Sequence, residues 1–343
     1  MINVGIIGSN SYIIWELLSL LVRHPRCQVQ FLQLNENLPT TPIHNATEPE
    51  LDEVPILFHH DSLSLAKCDL LFITSSLLET DSPLTHSPSK KTRIIILSDE
   101  SHLTKQTPLP AQTISVLNNG NGFRPIAYGI PEINGTHIHN AINVFSPAPI
   151  ATSILLLLAP LQSSRLIFSG TVIASIVMGL AADQRTPYQA AHFAELKENI
   201  STTEPLTPFN NIDLATAHHY FLGGDLHISA IPHIVPINRG MHTSITITHS
   251  ANPMRIYDIL AERYASADFI DVLPYQSNPH TKHVRGTNRA LIAAHPGPSL
   301  DTTTLLLAID DLGKGSAKQA IQNMNIMFDH DPSLGVEDLA VLP

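Results

Sequence analysis

Charge is scarce in this sequence. Of its 343 residues, 14% are Asp, Glu, Lys or Arg, where an average soluble protein carries about 25%. The 19 basic and 30 acidic residues leave a net charge of −11, which argues against a nucleic-acid groove or a surface for acidic membranes, since both need a basic excess. Cys27 and Cys68 are the only cysteines, too few for a disulfide framework or a cysteine-rich zinc site. No apolar run reaches the roughly 18 residues that span a bilayer. The first apolar run has no basic segment ahead of it and does not read as a secretory signal. A soluble, cytoplasmic protein is expected. Glycine is also low, at 16, where about 7% would give roughly 24. A chain that has lost glycines has lost positions where a ligand can approach the backbone closely.

What is abundant sets the class. A hydrophobic content of 43% supplies a sizeable core and excludes disorder. The length suggests two domains at roughly 150 residues each. Proline, at 26, exceeds the roughly 17 that average usage would give, and there are 19 histidines.

Ile2 to Gly8 is an apolar run ending in glycine, as a buried parallel strand would be. Ser9-Asn10-Ser11 makes a polar turn, and Tyr12 to Arg23 carries Ile13, Leu17, Leu20 and Leu21 at helical spacing before His24-Pro25 stops the helix. Cys27 to Leu34 reads as a second strand, which completes a βαβ unit of the doubly wound type. Asp69–Ile73 and Arg93–Leu97 add strands, while residues 35–56 are polar and without period. Ala151 to Leu161 is an apolar helix following Pro147 and Pro149. From about 165 the pattern changes: Ser244 to Thr248 alternates as an antiparallel strand with one covered face does. Leu305–Ile309 is a further strand, and Gly315–Phe328 a helix with Ala317, Ala320, Ile321, Met324 and Met327 on one face. The expected fold is α/β, with a doubly wound Rossmann-type domain over 1–147, an α+β domain over 148–314, and a terminal segment 315–343 returning to the first domain.

Several blocks are recognisable: Val4-Gly5-Ile6-Ile7-Gly8 with Tyr12, Glu16-Leu17-Leu18 and His24-Pro25; Tyr128-Gly129-Ile130-Pro131-Glu132-Ile133-Asn134; Pro232 to Gly240; Val284 to Asn288; and Asp311 to Asn325. In this order, across essentially the whole chain, the sequence resembles the N-acetyl-γ-glutamyl-phosphate reductases, the arginine-biosynthesis branch of the semialdehyde dehydrogenases. The resemblance implies an acyl-phosphate reduction. A cysteine thiolate at a helix start displaces phosphate, NADPH delivers hydride, and a histidine handles protons.

The residues that would do this chemistry have changed. Where the family has N-P-G-C-Y-P-T, this chain has Ser146-Pro147-Ala148-Pro149-Ile150-Ala151-Thr152, which puts Pro149 at the nucleophile. Proline suits the first turn of a helix but offers no nucleophile. Ser146 and Ser153 would each need an adjacent base and an oxyanion hole, and Cys27 and Cys68 read as buried small hydrophobes. The family's H-R-H-x-P-E-[IL] corresponds loosely to Pro208–Leu214, which places Asn210 at the histidine; His218-His219 leave a displaced base open. The S-G-V-S-G-A-G-R loop has become Ser169–Ala174.

The G-x-x-G-x-x-G turn has become Gly8-Ser9-Asn10-Ser11-Tyr12-Ile13-Ile14, in which Ser11 and Ile14 add bulk where pyrophosphate should approach. What remains for a cofactor is vestigial: Gly8, Ser9, Ser11, Lys314 and Gly315. No catalytic residue is assigned, and NADP is expected only if the family site survives. His137/His139, His218/His219 and His280/His283 do not form a metal motif, and His233 falls in a family motif as a structural or substrate-lining residue. The leading expectation is a pseudoenzyme kept for assembly, scaffolding or regulation. The alternatives are an active reductase with an unusual site and a re-purposed ligand-binding protein. Subunit contacts implied by the family, together with a charge-poor surface of the kind interfaces favour, point to self-association beyond a dimer, as a tetramer or an open polymer.

Overall fold

A computed structural model describes residues 1–34, 56–57, 65, 67–75, 91–99, 126–166, 169–182, 195, 197–208, 210–223 and 225–336. The chain opens with β1 (Ile2–Gly8), α1 (Tyr12–Arg23), β2 (Cys27–Leu34) and β3 (Ile56–Leu57), followed by β4 (Leu70–Thr74), β5 (Arg93–Leu97), β6 (Ile126–Tyr128), α2 (Pro131–Asn140) and β7 (Asn143–Ser146). Its seven strands are ordered β3-β2-β1-β4-β5-β7-β6 and every pairing is parallel. All of β4 is buried, as expected of a parallel strand covered on both faces. The strand order reverses between β1 and β4, so their carboxyl ends flank the crevice where doubly wound folds take ligands. Asp69 falls just outside β4, and its carboxylate accepts from the Asn3 N–H.

Next comes α3 (Pro149–Ser163), two residues longer at its start than the Ala151 start expected from hydropathy. Every side chain from Pro149 to Leu161 is buried, so this helix forms the centre of the molecule. Pro160 lacks the N–H that would bond the Leu156 carbonyl, and the Tyr264 hydroxyl donates to that carbonyl instead at 2.7 Å.

The second domain contains β8 (Ser169–Met178), β9 (Ser201–Thr202), α4 (Ile212–Ala217), β10 (Asp225–Ile234), β11 (Met241–Thr248), α5 (Pro253–Tyr264), β12 (Ile270–Val272), β13 (Ala290–Pro296) and β14 (Thr302–Ile309). Its strands are ordered β12-β13-β14-β11-β8-β10-β9 in a mixed sheet. On β11 the buried residues Met241, Thr243, Ile245 and Ile247 alternate with more exposed ones. This is the one-faced burial expected for Ser244–Thr248.

After β14 come a wide turn, Gly313–Ala317, and α6 (Lys318–Met327). Ala320, Ile321, Met324 and Met327 pack with Ile14, Leu17 and Leu21 of α1 and with β1 and β4. Among the described residues, no helix is long and apolar enough to cross a membrane.

Candidate functional site

The crevice at the end of β1 is lined by side chains rather than bare backbone. Ser11 caps α1, its hydroxyl accepting from the Ile14 N–H at 3.4 Å, which is one of the donors a helix start would otherwise offer to a phosphate. Ile14 is fully buried and folds back over Gly8: a Cβ on Gly8 would lie 2.7 Å from its Cδ1. The surviving glycine is therefore required by an isoleucine of this chain. Across the crevice sits Asp99, a residue to which the sequence reading gave no role. The Ser75 hydroxyl donates to it at 2.8 Å and the Ser9 hydroxyl at 3.4 Å. A carboxylate at this point repels phosphate. The segment after β2, where nucleotide folds place their ribose-reading residue, has no Lys or Arg between 35 and 66.

The start of α3 is closed in the same way. Pro149 is buried at the first helical position, and a Cβ on Gly315 would lie 2.8 Å from the Pro149 Cβ. Asp213 holds the preceding turn by accepting from the Ala148 N–H at 2.9 Å. Burial pushes the Asp213 carboxyl up to about 6 against the Ala148 and Ser98 hydrogen bonds, and nearby Asp99 adds to the rise. Tyr128 Oη, Ser146 Oγ and Asp213 Oδ1 are buried and have no partner among the described residues. Asp213 stands at the acidic position of the altered H-R-H-x-P-E-[IL] segment, a match available in the sequence but given no role there.

Among the described residues, no base is assembled beside Pro149. Asn210 Oδ1 accepts from the Thr207 N–H and its Nδ2 donates to the Pro205 carbonyl, which makes it a turn residue, while Asn211 caps α4. The His218 ring bonds the Leu226 carbonyl at 2.9 Å, and His219 is exposed with its ring against Tyr220. Ser153 donates to Ile150 O within its own helix. Both thiols are buried, and burial pushes Cys27 up to about 12 and Cys68 up to about 11, far from thiolate character at neutral pH.

Lys314 is fully enclosed, with its ammonium donating to Glu132 at 2.6 Å and to Gln322 at 2.9 Å. Burial lowers its pKa, while Glu132 opposes the shift. Gln322 also accepts from Asn288, and Asn323 reaches the Gly129 carbonyl. Of the five residues expected to remain for a cofactor, Gly8, Ser9 and Ser11 line the crevice, whereas Lys314 and Gly315 are engaged by Glu132 and Pro149. A neighbouring clasp joins the domains: Arg239 pairs with Asp310 at 2.7 Å and with Glu16 of α1 at 3.1 Å. His233 lies on β10 opposite Val177 of β8, away from Pro149 on the far face of the sheet. No group of three potential metal ligands occurs among the described residues.

The semialdehyde dehydrogenase dimerisation domain matches residues 150–311. An N-acetyl-gamma-glutamyl-phosphate reductase of Alkalilimnicola ehrlichii is 31% identical over the whole of both chains, and one of Ectopseudomonas mendocina is 30% identical with the same coverage. Aspartate semialdehyde dehydrogenase II of Vibrio cholerae shares the fold, with a TM-score of 0.69 and 13% identity over 96% of this chain and 99% of that one. From end to end, the chain belongs to the N-acetyl-gamma-glutamyl-phosphate reductase family.

Proposed function

We propose that this chain is a non-catalytic member of its family, kept for assembly, scaffolding or regulation through self-association. The observation that carries the reading is Pro149: the nucleophile position holds a ring that fills the helix start and packs on Gly315. Asn210, bound into a local turn, supports it from the base position. NADP fits poorly here. Ile14 occupies the close-approach point above Gly8, Asp99 sets a carboxylate in the crevice, and Lys314 is spent on Glu132.

The test is phosphate-dependent NADP reduction with N-acetylglutamate semialdehyde. No turnover above background is expected, either for the native chain or for Pro149→Cys, because base and cofactor turn have changed as well. Turnover that survives alkylation of Cys27 and Cys68 would refute the reading and assign another nucleophile. Full-length relatives named as reductases favour the second reading, an active reductase with an unusual site, and this assay separates the two. For the assembly, a particle larger than a dimer is expected in mass photometry at micromolar concentration and moderate salt. A particle of 37.5 kDa, or a dimer, would count against a tetramer or polymer.

A further inference from the structure

The second sheet has two unlike faces. One carries the core residues of β8, β10, β11 and β14. The other carries Ser, Thr, Ile and His, and on β8, β10, β11, β13 and β14 it includes one carboxylate, Asp225, and no Lys, Arg or Glu. Ile173, at its middle, is 55% exposed.

Histidines stand at both ends of this face: His233 and His242 at one, and His227 of β10 with His295 of β13 toward the other. His233 on β10 and His242 on β11 are both in register with Val177 of β8, which lies between them. His233 Nδ1 is buried and has no partner among the described residues. His280, in the turn that follows β12, stands near His242, and its ring lies 5.3 Å from that of His283. At the other end of β10, His227 is exposed.

We propose that this face is a pH-gated interface between two copies of the chain, assembled when its histidines are neutral and released when they are protonated. The proposal rests on the self-association reading above and commits to a second copy as occupant. The face lies within the stretch that matches a dimerisation domain, and its low charge suits the core of an interface. A two-fold interface would bring each histidine row into the contact from both sides.

Protonation would then bury several cations with little to neutralise them. Around His242, β8 and β14 contribute Val177 and Ala308, both uncharged. The 281–283 turn contributes Lys282 and His283, and His280 precedes it. Arg239 is paired with Asp310 and Glu16, and Asp311 accepts from the Gly240 N–H. Asp225 is at the far end of β10. Burial lowers the His242 pKa in the single chain, and His280 lowers it further. Covering the row with a second copy would lower it more. Association is therefore strongest above the ordinary histidine value near 6.5 and is lost as pH falls through the depressed one.

Sedimentation velocity of the full chain at pH 7.5 and 5.5, at constant ionic strength and with near-UV circular dichroism as a check on the fold, tests this. The dissociation constant is expected to rise at least tenfold at pH 5.5. The double variant His233→Asn/His242→Asn is expected to stay assembled at both pH values, and Ile173→Lys to form a smaller particle than the native chain at pH 7.5. A native chain monomeric at both pH values would defeat the self-association reading and this proposal with it. Assembly indifferent to pH, with Ile173→Lys smaller than the native particle, would leave that reading intact and overturn the gate alone. Dissociation of the double variant alongside the native chain, or an Ile173→Lys particle of native size, would equally overturn the proposal.

Discussion

The terminal block, residues 310–325, and the two helix starts at Ser11 and Pro149 lie close together yet differ in kind. In the terminal block, polar side chains serve one another: Lys314 with Glu132, Gln322 with Asn288, Asn323 with Gly129. At the helix starts, side chains occupy places that bare backbone would offer to a ligand: Ser11, Ile14, Asp99 and Pro149. A polar group whose partner lies within the same chain is held by the large cost of leaving it unpaired in the interior. A group whose partner is a ligand has no such protection once the ligand is no longer needed. Gly8 and Gly315 lie on the seam between the regions, each pressed by the side chain that fills the adjacent helix start.

The largest effect should come from breaking the terminal block. Glu132→Ala strands the buried Lys314 ammonium and is expected to cost about 3–5 kcal/mol in urea denaturation. Glu132→Leu combined with Lys314→Met should recover most of that loss, which would show the pair to be structural. At the other region, Ile14→Ala should cost about 2–5 kcal/mol as a large-to-small change in a packed core. Because Asp99 remains, NADPH at its working concentration should raise the melting temperature of neither Ile14→Ala nor the native chain by more than about 1 °C. Gly315→Ala drives a methyl into Pro149 and should cost about 1–3 kcal/mol.

The smallest effect concerns Asp213. Its pKa is raised from 3.8 to about 6 in the folded chain, so the folded state takes up the proton first. Its contribution to stability therefore improves as pH falls through about 6 toward the unfolded value. Asp213→Asn removes that dependence and should stabilise by roughly 1 kcal/mol more at pH 8 than at pH 5, as read from parallel denaturant titrations.

Periodicity made most of the frame legible. Ile2–Gly8, Tyr12–Arg23, Cys27–Leu34 and Arg93–Leu97 coincide with β1, α1, β2 and β5 to the residue, because each couples a strong apolar pattern to a clear stop. The helix α2 was not legible from hydropathy, since Ile138 is its only buried residue. The stretches containing residues 35–55 and 76–90 fall outside the described residues. At the candidate site, the sequence showed Pro149, Ser11 and Ile14 in place of the family's residues but not what surrounds them. Asp99 follows a strand of buried aliphatics, and Lys314 reads as an ordinary cation in a glycine-rich turn. That one carboxylate accepts from Ser9 and Ser75, and that the lysine is enclosed with Glu132, are contacts across 24 to 182 residues, beyond the reach of local pattern.

The packing of α6 with α1, β1 and β4 bears on how the chain is made. The apolar surface of α1 and of strands β1 and β4 is synthesised first, yet Ile321, Met324 and Met327, which help to cover it, come within the last few dozen residues. The intervening stretch 148–312 takes roughly ten to thirty seconds to elongate at about 5–20 residues per second. Throughout that interval the first domain lacks part of its core, so nascent chains and C-terminally shortened products are the forms most in need of a chaperone, and they stay so until α6 is complete.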